Sequence, residues 1–271
     1  MCLNYCKFIK LYCVISVIFV LNFLKLIYIM YLIKLSATSS TNDFLKQLSA
    51  TQQLEDFTVV WAENQTEGKG QMGGKWVSES SKNLTFSILL NETSFEIEDL
   101  FTLNVMVANA VIKALNFFKL DHISVKWPND ILSYNKKIAG ILIENNIRAN
   151  GTIQSVVGIG INVMQTQFDG FPQASSIFRQ YGVALEQELL LDKIVSFLKQ
   201  SVLHLKEGAE GEWDFYHDHL FRKEVASVFE NIHGQRFMAI IKNVNHHGQL
   251  VVQPEHGDVK LFNLKEIKLL Y

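Results

Sequence analysis

Apolar positions change rhythm several times along this chain, and each change predicts an element. From Met30, "MYLIKLSATSS" opens as a short strand and reaches Ser40, which reads as a helix N-cap with Asp43 three residues on and Phe44, Leu45 and Leu48 behind it. "FTVVWA" (57–62) reads as a strand that leads into a glycine-rich stretch, and "LTFSILL" (84–90) alternates as another strand. Leu100, Leu103, Val107, Val111 and Leu115 then keep helical spacing, which predicts a long core helix. The segments "HISVKW", "KKIAGILIE" and "TIQSVVGIGIN" are β-rich and separated by turn-forming "PND" and "NNIRANG", so they predict neighbouring strands of a mixed or antiparallel sheet. Helical spacing returns over 185–205. From about Arg222 the texture becomes short strands, "RFMAIIKNV", "QLVVQ" and "VKLFNL", broken by "NHHG" and "EHGD". The expected architecture is α+β, with a mixed sheet and helices over 30–221 and a small β-barrel over 222–271.

The first 29 residues break this pattern. Leu11 to Leu24 is uncharged, Lys25 follows, and a second apolar run reaches Ile33. One reading is a membrane anchor, with Lys7 and Lys10 holding the N-terminus inside. The favoured reading is translation from Met30, which makes residues 1–29 a mis-assigned start, because an anchor would run into the first strand without a linker.

Composition narrows the chemistry. At 271 residues and 48% hydrophobic, the chain can bury one substantial core with a small appended domain. A net charge of −2 offers no basic excess for a nucleic-acid backbone, so any anion site must be local and no nucleic-acid partner is expected. All three cysteines, Cys2, Cys6 and Cys13, precede Val14, which excludes a disulfide framework, a cysteine zinc site and a cysteine nucleophile from the remainder.

The glycine-rich stretch is "EGKGQMGGKW", Glu67 to Trp76. Gly68, Gly70, Gly73 and Gly74 let backbone N–H groups approach an anion, and Lys69 and Lys75 add charge. A mobile surface loop is an equal reading of the stretch alone. It matches neither the P-loop nor the dinucleotide fingerprint. In "VKWPND" (125–130), Pro128 ends a strand and holds Asn129 and Asp130 at its tip, which a turn explains, but Lys126 within the strand is left over. Lys137 opens the otherwise apolar "KIAGILIE", with small Ala139 and Gly140 beside it.

"GKGQMGGKW", "KWPND", "KIAGILIE" and "GIGIN", in this order and spacing, resemble the biotin protein ligases, also called biotin–[acetyl-CoA-carboxylase] ligases, over about residues 31 to 271. The resemblance implies the biotin ligase fold, similar to class II synthetases, with an SH3-like C-terminal barrel. It implies that biotin and MgATP give biotinyl-5′-AMP, after which a lysine of a biotin carboxyl carrier domain of acetyl-CoA carboxylase takes the biotin. Lys137, Lys69 and Lys126 would supply the catalytic charge. Ser40, Thr41, Asn42, Gln65, Gly68, Lys69, Gly70, Gln71, Lys137, Gly140 and Gly160 would bind biotin, with Ser40, Thr41 and Gln65 on its ureido ring. Gly73, Trp76, Lys126, Asn129, Asp130 and Asn162 would hold ATP, and Asp130 a magnesium ion.

The loop departs from the family's G-R-G-R-x-G at Lys69, which keeps charge without the guanidinium fork, and at Gln71, which keeps none. Faster leakage of the adenylate is the expected consequence. No helix-turn-helix precedes the catalytic part, so a monofunctional ligase without repressor activity is expected, cytoplasmic, as monomer or homodimer, with no membrane partner. The rivals are a lipoate or octanoate ligase and an inactive membrane-anchored binding module; an octanoyltransferase would need the missing cysteine. His217 and His219 are two apart, point to different faces of a helix and are not read as metal ligands.

Overall fold

The computed structural model describes residues 30–93, 100–147 and 152–271; the readings of residues 1–29 lie outside them. Strand β1 (Tyr31–Thr38) pairs in parallel with β2 (Thr58–Gln65), across helix α1 (Thr41–Thr51), and every later pairing of the sheet is antiparallel. Ser40 caps α1 as its sequence predicts: its backbone is extended and its hydroxyl accepts from Asp43 N at 3.4 Å. The remaining strands are β3 (Asn83–Thr93), β4 (Ile123–Lys126), β5 (Asp130–Ser133), β6 (Lys136–Ile147) and β7 (Ile153–Asn162). They complete a seven-stranded mixed sheet in the order β1-β2-β3-β7-β6-β5-β4. This crossing order brings the end of β2 and the middles of β3, β6 and β7 beside the N-terminus of α1.

Helix α2 (Leu100–Phe117) packs on one sheet face with twelve of its residues buried, against α4 (Gln187–His204) and α5 (Glu210–Asp218). By length and composition α2 could cross a membrane, but 67% of it is buried among the elements just named. Its apolar surface is therefore spent on the core. A short α3 (Ile177–Tyr181) lies between, with Ser176 as its cap.

The C-terminal part is a five-stranded antiparallel sheet, ordered β11-β10-β9-β8-β12, from β8 (Ala226–Asn231), β9 (Arg236–Val244), β10 (Leu250–Pro254), β11 (Lys260–Phe262) and β12 (Ile267–Leu270). The class is α+β, as expected. The pattern missed β5, β8 and β12. β5 and β12 are only four residues each and too short to show a period, and β8 reads "ASVFEN" with polar residues on both faces. Phe229, Ile241, Leu250 and Val252 belong to the same apolar cluster as α2 and β3, and Trp127 Nε1 donates to Gly248 O at 2.9 Å, tying the β4 end to the β9–β10 turn.

Candidate functional site

At the N-terminus of α1, three consecutive polar residues are almost wholly buried: Ser40, Thr41 and Asn42 are 3–4% exposed. Buried polar groups must be paired, and these are. Thr41 donates from its backbone N and its hydroxyl to Gln65 Oε1, at 2.9 and 3.1 Å. Ser87 in β3 donates toward Thr41 Oγ1 at 2.8 Å and Asn42 Oδ1 at 2.5 Å, and Asn42 Nδ2 donates to Glu144 in β6 at 2.7 Å. Four elements thus fix one polar wall.

Opposite it lies the glycine loop, folded back on itself by Trp76 N to Gly68 O at 2.9 Å and Gly70 N to Gly74 O at 2.8 Å. The Trp76 indole rests on a floor made by Gly140 and Gly160, which face each other across β6 and β7. A Cβ at Gly160 would enter the indole ring, so only glycine permits this approach. Polar wall, loop and floor enclose a cavity of about 70 Å³ lined by Ser40, Thr41, Asn42, Gln65, Lys69 and Trp76 among others.

Lys137, at the start of β6, is where this cavity meets two larger ones. Its Nζ lies 2.5 Å from Asp130 Oδ1 and 5.9 Å from the Trp76 ring centre. On one side is a cavity of about 520 Å³ between the two sheets, lined by Lys75, Lys126, Lys137, Lys265 and Lys268 among others, with Asp130 its one carboxylate among the described residues. A protein of net charge −2 has therefore gathered five cations around one space. Burial holds the Lys126 ammonium below the usual lysine value; Asp130 pulls it back up, while Lys137 and Lys268 push it further down. Tyr271, 5.5 Å from Lys126 Nζ by its ring centre, is pushed up to about 12 by burial and by the Asp130 charge. Such a surface favours a multiply charged anion.

On the other side a cavity of about 260 Å³ is lined by Lys75, Trp76, Lys137, Asn162, Gln165 and Phe168 among others. Asn162 is 3% exposed; its Nδ2 donates to Ser175 O at 2.9 Å, but its Oδ1 is buried without a partner, as is Trp76 Nε1. An unpaired buried acceptor facing a cavity is a place for a donor on a ligand.

Residues 35–162 match the biotin/lipoate A/B protein ligase family. The chain is 30% identical over 162 residues to the bifunctional ligase/repressor BirA of Bacillus spizizenii, covering 58% of this chain and 49% of that protein. It is 25% identical over 241 residues to BirA of Escherichia coli, covering 87% and 73%. The chain spans about half the length of the first curated relatives it matches. Among solved structures, the biotin protein ligase of Aquifex aeolicus in complex with biotin and ATP superposes with a TM-score of 0.75 at 25% identity, covering 89% of this chain and 99% of that one. The fold is shared with the Leishmania major ligase in complex with biotinyl-5-AMP, at a TM-score of 0.58 and 23% identity.

Around Lys137, the structure gathers Ser40, Thr41, Asn42, Gln65, Lys69, Gly70, Gln71, Trp76, Gly140 and Gly160 at the small cavity. Gly68 is buried beneath Trp76 and Gln65, and Gly73 serves a turn at φ +84°, lining none of the three cavities. The residues expected on ATP divide: Lys126, Asn129 and Asp130 face the five-lysine cavity, whereas Asn162 faces the 260 Å³ one, with Trp76 between. Asn129 also stitches the fold, donating to Ile141 O at 2.6 Å. Lys69 points at Asp43, 2.5 Å away. Sequence reasoning missed Ser87, Gly158, Lys265 and Lys268. A Cβ at Gly158 would enter Asn42, and "GIGIN" carried that signal. Lys265 and Lys268 come from the C-terminal sheet, where no local pattern marks them. Among the described residues no cluster of three or more metal-ligating side chains exists.

Proposed function

We propose that this protein is a biotin protein ligase: it joins biotin to ATP as biotinyl-5′-AMP and passes the biotin to a lysine of a carrier domain, the biotin carboxyl carrier domain of acetyl-CoA carboxylase, in the cytoplasm. The observation that carries the reading is the placement of Lys137 between a small polar-walled cavity and a five-lysine cavity. Thr41 and Gln65 present amide and hydroxyl groups to which the ureido ring of biotin can hydrogen-bond, whereas the apolar dithiolane of lipoate offers them no partner. The 70 Å³ cavity is smaller than such an acid, so Trp76 and the loop must lift from the glycine floor on binding.

In the first step a biotin carboxylate oxygen attacks the α-phosphorus, the bond to the bridging oxygen breaks, and pyrophosphate leaves with the electron pair. Two anions must meet, which in a low-dielectric site costs several kcal/mol unless cations are fixed in place. Lys137 is positioned to hold the junction of carboxylate and α-phosphate. Lys126, Lys265 and Lys268 face the space where pyrophosphate charge grows. Asn162 Oδ1 can accept from the adenine amine. Asp130, a carboxylate lining this lysine-rich cavity, would hold a magnesium ion, which would supply charge neutralisation. In the second step the carrier amine attacks the acyl carbon, and AMP departs. No protein nucleophile is needed, in keeping with the absence of cysteine after residue 13.

Incubating the full chain with biotin, MgATP and a purified carrier domain, read on a streptavidin blot, tests the reading. Labelling that requires both ATP and the acceptor lysine is expected; no labelling by the folded protein contradicts it.

A further inference from the structure

The loop lysine expected to supply catalytic charge at the biotin site is also engaged elsewhere. Lys69 Nζ contacts Asp43 Oδ2 at 2.5 Å, Asp43 Oδ1 is 2.9 Å from Lys46 Nζ, and Lys46 Nζ is 2.8 Å from Glu144 Oε1. Glu144 in turn accepts from Asn42, which receives the Ser87 hydroxyl. The glycine loop is thereby tied, through alternating charges, to the first turn of α1 and to the polar wall of the small cavity. An exposed ion pair alone stabilises little, and Lys69 is half exposed. This pair is one link of a four-charge network whose far end is fixed in β6, so part of its ordering cost is already met by the fold. Burial raises the Asp43 carboxyl and hydrogen bonds from Lys69 and Lys46 bring it below its usual value. Gln71 contributes no charge to the loop, and Lys265 makes only a 3.4 Å contact to Met72 O. Asp43 is the charged anchor the loop has on the side of the polar wall.

We infer that Asp43 is a positioning residue that latches the closed glycine loop through Lys69 and so slows escape of the acyl-adenylate. The inference rests on the ligase reading above. The loop must lift for an adenylate to leave, and lifting it breaks the Lys69–Asp43 pair. Asp43 itself does not line any of the three cavities.

The test loads the full chain with biotin and MgATP, removes free nucleotide rapidly, and follows release of radiolabelled biotinyl-AMP. Asp43→Asn is expected to release it about fivefold faster, the size of a one-pair contribution. Asp43→Glu should restore most of the retention. In combination with Lys69→Met the effects should not add, because both remove the same contact. Raising the salt should narrow the gap between wild type and Asp43→Asn, which a purely structural role would not do. If Asp43→Asn folds poorly, the Asp43→Glu variant and the salt series on the wild type carry the comparison. Equal release rates, or additive effects in the double variant, overturn the latch while leaving the ligase intact. Failure of the wild-type protein to form any adenylate overturns the functional reading and the latch with it.

Discussion

Lys137 has a short tether to Asp130, a glycine at position 140 with space for its chain, and access to all three cavities. Replacing it by alanine should lower biotin-dependent ATP–pyrophosphate exchange by roughly 10² to 10³, the loss typical of one fixed electrostatic group, with the melting temperature little changed. Arginine should not rescue, since its planar fork does not fit a point-charge position against the glycine floor. Gln71, exposed on the loop, should show the reverse sign: Gln71→Arg adds a cation at the cavity mouth and should slow adenylate release, measured by the same chase. Unchanged release would assign Gln71 no part in retention. At this scale much was legible, because Lys137, Trp76 and the glycines stand in short contiguous motifs. Ser87 was not, because its role depends on α1 and β3 meeting forty-five residues apart.

Among the elements, α2, α4 and α5 are joined by a partly buried network around Glu212, which accepts from Lys113 at 2.8 Å, Ser201 at 2.6 Å and Asn109 at 2.6 Å. Burial raises the Glu212 carboxyl, but these three partners outweigh it and hold the group below the usual glutamate range. A depressed folded value means the stabilisation is complete above the unfolded value and is lost as pH falls through the folded one. Glu212→Gln should therefore cost about 2 kcal/mol at neutral pH and flatten the fall in stability below pH 4.5, followed by urea denaturation across pH. An unaltered acid limb would show the network to be inert. Apolar spacing predicted α2 and α4, but not this network, whose members carry no period. The short strands escaped for a related reason: β5 gains its identity only from pairing Asp130 with Lys126 and Gly140.

For the whole molecule, the two sheets share one apolar cluster and one cation-lined cavity. Calorimetry should accordingly show a single unfolding transition; two separated transitions would mean the C-terminal sheet folds independently. Lys265→Ala with Lys268→Ala should raise the KM for ATP more than that for biotin, because both face the larger cavity. Sequence order placed these lysines in a β appendix and gave no hint that it closes the site, since the contact spans more than a hundred residues of chain. The account as a whole depends on the small polar cavity accepting biotin beside a site for ATP. The most direct measurement is biotin-dependent ATP–pyrophosphate exchange by the purified protein, with lipoate and octanoate as competing acids. Exchange supported by biotin, weakly or not at all by the other acids, and lost in Lys137→Ala is predicted; a folded protein that shows no biotin-dependent exchange, or equal exchange with lipoate, would contradict it.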